Sequence, residues 1–354
     1  MSTDPQPSEP PVERVRTNRD QLRASLLSWY DGNGRRLPWR VRGGRPDPYK
    51  VWLSEVMLQQ TTSAAAGPYY ERFLEKFPTL EALAEAPIEA ALEAWAGLGY
   101  YSRARNLHAA AIALDLFGFP ETEEGWRALP GVGPYTAAAV TAIALNQPAN
   151  VVDGNVERVM ARLCAVETPL PAAKRELREI AALFVTPERP GDYAQAIMDL
   201  GALVCTPQAP RCMVCPWAMS CAARATADPG AYPRRALRPE RPERFGAAFL
   251  LERDGALWLV RRPEKGLLGG MAGLPTTPWR DHPWTRADLL THAPAEAGDW
   301  RRAGSVRQVF THFALTLEVW RAAARGEPRE GWWAPRDQIG ALPAVFRKAA
   351  DLVA

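Results

Sequence analysis

The sequence is short of several things, and each shortage excludes something. Its 354 residues carry a formal net charge of only +3, so no overall positive field announces a nucleic-acid binder. Five cysteines are too few for a disulfide-built secreted scaffold. No basic start followed by an apolar run is visible in MSTDPQPSEPPVERVR, so no signal peptide is read there. Residues 128–152 carry no charge, yet Pro130, Gly131, Gly133, Pro134 and Pro148 break them. Only Ala137 to Leu145 is continuously apolar, which fits a buried helix and is too short to span a bilayer. Lysine is rare beside arginine, a bias that we read as genomic base composition. What is present is ordinary for a folded chain: 47% apolar and 23% charged residues, which excludes disorder over most of the length. The expectation is a cytoplasmic protein, a compartment where clustered cysteines bind metal more often than they pair.

This length predicts two domains. Residues 1–17 read as a disordered tail, 18–221 as an all-α domain, 222–244 as a linker rich in Pro and Arg, and 245–354 as a smaller α+β domain. Helical spacing at Leu22, Leu26, Leu27 and Tyr30 ends at Asp31-Gly32. Further helices are expected over 49–61, 69–77, 88–95, 102–117, 134–145, 155–164, 172–184 and 192–203. Beyond the linker, GAAFLLERDGALWLVRR reads as two strands around Asp254-Gly255, a strong hairpin dipeptide. Residues 309–320 alternate like a strand, and 346–353 close the chain as a helix. The helical part is mildly acidic, and the positive excess lies in the linker and the C-terminal domain. Nucleic acid on the helical part must therefore be held by locally placed groups.

Three features carry chemistry. Cys205, Cys212, Cys215 and Cys221 are spaced C-x6-C-x2-C-x5-C, close enough for four thiolates to surround one metal centre. One tight pair flanked by longer gaps fits zinc poorly and favours iron–sulfur. Cys164 lies on an apolar helix and reads as a packed thiol. Leu129-Pro130-Gly131-Val132-Gly133-Pro134 joins two helical patterns. Gly131 and Gly133 allow a tight turn and close approach of another molecule, and N–H groups there suit a DNA phosphate. A plain helix–helix turn is the alternative. Glu55 sits among Val51, Trp52 and Leu58, which should raise its pKa and let it hold a proton as a general acid. Asp153 stands just before a helix, whose N–H groups favour its ionised form. One protonated and one ionised carboxylate is a pairing suited to glycosidic cleavage.

With these residues in place, the chain resembles the helix–hairpin–helix DNA glycosylases of the endonuclease III superfamily. Within it, LPWR at 37–40, SEVMLQQT at 54–61, GLGYYSRARNLH at 97–108 and DGNV at 153–156 resemble MutY-type adenine DNA glycosylases. The resemblance implies that Glu55 protonates the adenine leaving group and that Asp153 stabilises the oxocarbenium-like sugar. It implies that Tyr135 and Asn155 assist them, and that Gln60 and Tyr100 enter the base stack. It also implies that the four cysteines ligate a [4Fe–4S] cluster. The DNA contacts are assigned to Gln60, Tyr100, Gly131, Gly133 and Arg211. The implied partner is double-stranded DNA with adenine opposite 8-oxoguanine or guanine, bound by a monomer, with the adenine flipped out of the helix.

Two departures sharpen this. Bifunctional members of the superfamily carry a lysine in the hairpin, where this chain has Tyr135. Without that amine the Schiff-base nucleophile is lost, which implies a monofunctional enzyme that leaves an abasic site. The C-terminal domain resembles a Nudix-like domain that contacts 8-oxoguanine, with Phe310-Thr311-His312 where F-S-H is common. Thr retains the hydroxyl. The stretch 266–290 offers only Asp281 and Asp288 in place of a Glu-rich metal helix, which disfavours nucleotide hydrolysis. A pyrimidine-specific lyase is opposed by Tyr135 and the extra domain. A non-catalytic redox sensor is opposed by retention of both carboxylates.

Overall fold

The structure is a computed structural model. It describes residues 10–353 except 42, 226–227, 237–240, 264–266, 295–296, 311 and 329, and for 338 and 341 the backbone alone. The chain divides into two compact units after Ala236.

The first unit is built from helices. Helix α1 (Pro11–Asn33) starts inside the stretch expected to be a disordered tail. Pro11 occupies the first turn, where its missing N–H is no loss, and Val15, Leu22 and Leu26 form a buried stripe. The helix also runs through Asp31-Gly32, the expected stop, and Asp31 is clamped there by the Arg189 guanidinium at 2.6 and 3.1 Å. Helices α2 (Pro48–Leu58), α3 (Ser63–Lys76), α4 (Leu80–Glu85), α5 (Ile88–Ala94), α6 (Tyr101–Phe117), α7 (Glu123–Arg127), α8 (Pro134–Ile143), α9 (Gly154–Leu163), α10 (Lys174–Ala182) and α11 (Pro190–Asp199) follow. α4 and α7 were not expected from the sequence; at six and five residues they are too short to show a full apolar period. α11 continues as a π-turn over Leu200–Val204. The core between them is aromatic, with Trp52, Trp95, Trp126 and Phe73 fully buried.

Part of the expected linker belongs to this unit. α12 (Ala222–Ala225) buries Ala223, Tyr232 is buried, and Leu170 pairs with Arg235. Pro and Arg richness masked this packing, because the segment is held by single anchors and not by a periodic face.

The second unit is a mixed sheet of β1 (Glu243–Arg253), β2 (Ala256–Arg261), β3 (Ala272–Gly273), β4 (Arg301–Val309), β5 (Ala314–Ala323) and β6 (Trp332–Pro335). The order is β3-β2-β1-β5-β4, with β6 paired to β2. β1 and β2 are antiparallel across Asp254-Gly255, whose φ angles of 47° and 78° make the expected tight hairpin. β1 runs parallel to β5 and is buried on both faces at 247–251, which explains its unbroken apolar run. α14 (Ala344–Ala350) covers one face with Val345, Phe346 and Ala349, and α13 (Arg286–Leu290) places Leu289 on the other. The 309–320 stretch is not one strand: β4 ends at Val309 and β5 begins at Ala314.

Candidate active site

α2 is apolar almost throughout, and Tyr49 and 51–57 are buried along it. A carboxylate in such a helix is pulled out of water with it. Glu55 is only 4% exposed, and burial pushes its carboxyl up to about 7. The Tyr135 hydroxyl and the Arg40 guanidinium oppose that rise, and the Asp153 carboxylate adds to it. Glu55 Oε2 is buried without a hydrogen-bond partner.

Asp153 caps α9, accepting from Val156 N at 2.8 Å. Its second oxygen accepts from Asn155 Nδ2 at 2.7 Å. Asn155 is held in turn by Arg158 Nη2 at 2.8 Å, and the same nitrogen donates to Gly201 O at 2.8 Å. Glycine is required at 201, since a Cβ there would lie 2.6 Å from Asn155 Cβ. Tyr135, in the first turn of α8, donates to Met198 Sδ at 3.3 Å, and burial raises its hydroxyl well above the ordinary tyrosine range.

Five of the residues singled out in the sequence therefore meet. Glu55, Gln60, Tyr135, Asp153 and Asn155 all line one cavity of about 310 Å³. Tyr100 is not in its lining; it is 60% exposed at the start of α6. Gln60 and Tyr100 both adopt left-handed backbone, with φ of 60° and 49°. In the hairpin between α7 and α8, Gly131 has φ 73°, and a Cβ there would lie 2.6 Å from Asn106 Cβ, so it must be glycine. Gly133 caps α8 at an ordinary φ of −86°, so its conformation does not demand glycine; the space where a Cβ would stand is open.

Arg40 stands in the LPWR motif with no role assigned to it there, and Asp199 is not singled out in the sequence. Asp199 is fully buried at the end of α11 and takes Arg40 Nη1 at 2.6 Å, Arg40 Nη2 at 2.8 Å and Arg35 Nε at 2.5 Å. Burial alone would raise its carboxyl, but Arg40 and Arg35 hold it below the usual range. Arg35 and Arg40 line the cavity. The available signal was a lone acid in the apolar run 194–204, the same signal that marks Glu55.

The four clustered cysteines line a second cavity, together with Arg162 and Arg224. Arg162 is buried, donates to Cys205 Sγ at 3.3 Å, and ties down Thr206 O and Pro207 O at 2.7 and 3.0 Å. Burial pushes the Cys215 thiol up to about 12 and raises that of Cys221. Among the described residues, no three His, Cys, Asp or Glu side chains form a group that could hold a metal ion. Arg211 is exposed beside Cys212. Cys164 is buried away from solvent, as a packing thiol should be.

In the second unit, Phe310 stacks on Trp279 with centroids 6.2 Å apart, and its N–H donates to Phe313 O at 2.8 Å. His312 is exposed, and Thr311 lies outside the described residues.

Comparison with known proteins agrees with this architecture. The description HhH-GPD superfamily base excision DNA repair protein matches residues 53–184, and a NUDIX domain matches 246–352. The chain is 37% identical over 368 residues to the adenine DNA glycosylase of Homo sapiens, covering 86% of this chain and 67% of that protein. It is 38% identical to that of Rattus norvegicus, covering 86% and 71%. A solved structure of a thermostable thymine-DNA glycosylase superposes with a TM-score of 0.54 at 27% identity, covering 60% of this chain and 99% of that one. Among the described residues no helix is long and apolar enough to cross a membrane. With a helical HhH-GPD unit, a Nudix unit and relatives at this identity over most of its length, the chain belongs to the adenine DNA glycosylase family.

Proposed function

We propose that this protein flips adenine out of a mispair with 8-oxoguanine or guanine and hydrolyses its N-glycosidic bond, leaving an abasic site. One observation carries the reading. The unpartnered, buried Oε2 of Glu55, on a carboxyl with a pKa of about 7, belongs to the same cavity as Asp153. A neutral Glu55 can hand its proton to the departing base as the bond lengthens. Positive charge then grows on the sugar, and the Asp153 carboxylate, held by Asn155 and the α9 N-terminus, stabilises it. The cavity's lining residues include no lysine, which supports a monofunctional reaction with water.

Around this centre, Gln60 and Tyr100 fill the gap left by the extruded base, and Gly131 and Gly133 present N–H groups to the DNA backbone, with Arg211 as a further contact. Phe310, Thr311 and His312 meet the 8-oxoguanine. Cys205, Cys212, Cys215 and Cys221 would hold a [4Fe–4S] cluster: the donor set is all thiol and lines one cavity. When bound, such a cluster would add structural order to the loop that carries Arg211.

Duplex DNA with adenine opposite 8-oxoguanine should break only after alkaline treatment. Breaks without alkali would reject the monofunctional reaction. Glu55→Gln should abolish base release while the duplex is still bound, and a fully active variant would remove Glu55 as the acid.

A further inference from the structure

Arg103, in the first turn of α6, is 8% exposed and reaches back across the unit into two loops. Its Nη1 donates to Val56 O at 3.1 Å, Met57 O at 3.0 Å and Gln59 O at 2.6 Å. Its Nη2 donates to Leu98 O at 3.3 Å, Gly99 O at 3.4 Å and Thr61 Oγ1 at 3.5 Å. The guanidinium carbon also lies 5.3 Å from the Trp95 ring and 5.4 Å from the Tyr100 ring. α2 ends in this guanidinium: the last carbonyls of a helix lack intrahelical partners, and α2 has no basic residue of its own in its last turn.

The two bonded segments flank two exposed residues with left-handed backbone. Gln60 lies between Gln59 O and Thr61 Oγ1, and Tyr100 follows Gly99 O. A left-handed non-glycine residue is strained and persists only where its surroundings over-determine it. Here one side chain bonds the residues on either side of Gln60 and the carbonyl immediately before Tyr100.

We propose that Arg103 is a positioning residue that holds the Gln60 and Tyr100 loops as a single rigid wedge, so that its loss impairs extrusion of the base and spares cleavage of the bond. The proposal rests on the reading that Gln60 and Tyr100 enter the base stack. Ordering two loops separately on DNA would draw on binding energy; a wedge already ordered in the free protein does not. Lysine cannot replace arginine here, because a tetrahedral ammonium lacks the planar fork that spans both loops.

The test uses single-turnover base release by the full chain, normalised by active-site titration so that only folded molecules count. Two duplexes are compared, one with adenine opposite guanine and one with adenine opposite an abasic-site analogue, where no pairing partner must be broken. Arg103→Lys should slow release from the paired duplex by roughly 10- to 100-fold and from the unpaired one by less than about threefold. Gly99→Ala strains the same loop at φ 71° with open space for its Cβ and leaves Arg103 in place, so it should show the same selective loss even if Arg103→Lys folds poorly. Tyr100→Ala combined with Arg103→Lys should be little worse than either alone. Equal losses on both duplexes, or no loss on the paired one, overturn the proposal. If Gln60→Ala and Tyr100→Ala are themselves fully active on paired adenine, the wedge reading fails and the proposal with it. If those two are impaired and Arg103→Lys is not, only the role of Arg103 is lost.

Discussion

Glu55 binds a proton more readily in the folded protein than in the unfolded chain, because burial penalises its charged form. Its folded pKa of about 7 lies above the ordinary 4.5. Stability drawn from the protonated carboxyl is therefore complete below about pH 4.5 and declines as pH rises toward 7. The difference corresponds to on the order of 3 kcal/mol once the group is ionised. Glu55→Gln removes the titration, so the variant should be more stable than the parent at pH 8, with the gap closing toward pH 4.5. Chemical denaturation at several pH values measures this; a gap independent of pH would mean that Glu55 is not the buried titrating group. In the proposed mechanism the same protonation sets the reaction, so single-turnover release should fall as pH rises above about 7.

Asp153 caps α9, and the proposed mechanism gives it a second role that substitution can separate from the first. As a cap it needs only an acceptor oxygen, and as a stabiliser of the sugar it needs a charge. Asp153→Asn should keep the melting temperature within the equivalent of about 1 kcal/mol while slowing base release by roughly 100-fold or more. Asp153→Ala should lose activity and also about 1 kcal/mol of stability. An active Asn variant would show that the carboxylate is needed only as a cap.

At the scale of elements, α9 connects the site to the cysteine loop. Asp153 caps it, Asn155 and Arg158 follow, and Arg158 Nε reaches Cys205 O at 2.8 Å. One turn on, Arg162 grips Cys205 Sγ and the backbone after it. Arginines belong here because the loop turns its carbonyls inward without regular partners, and a planar fork can satisfy several at once. A segment held by side-chain forks and four thiols has little periodic core of its own. Replacing one thiol should therefore be severe: Cys215→Ser should lose most of the bound iron and lower the melting temperature. Purified parent protein should be brown with stoichiometric iron, and a colourless protein carrying zinc would reject the cluster.

At the scale of the molecule, the small net charge divides unevenly. The helical unit carries the cavity and the hairpin but is mildly acidic, and the net positive charge lies beyond Cys221. Catalysis and recognition of the opposite base are assigned to different units, so substitutions in one should leave the other's property intact. His312→Ala should reduce the preference for 8-oxoguanine over guanine by a factor of roughly 5 to 100, the value of one lost base contact, while release opposite guanine stays near the parent rate. Equal rate ratios in parent and variant would remove His312 from recognition.

Short-range pattern was enough for much of this. The cysteine spacing, the Gly131 turn, the Asp-Gly hairpin and the lone acid in an apolar helix are local signals, each dictated by backbone geometry or by the cost of burying charge. The long helices were legible because their apolar period repeats; α4, α7, the packed start of the linker and the first turns of α1 were not, since single anchors leave no period. The sequence by itself thus determined the two architectures and the candidate acid, carboxylate and thiols. Only the tertiary structure brought Glu55 and Asp153 to one cavity, set Arg40 and Asp199 beside it, and aimed Arg103 at two loops about 40 residues apart in the chain. Such meetings depend on how helices pack, and packing joins residues whose separation in sequence carries no signal.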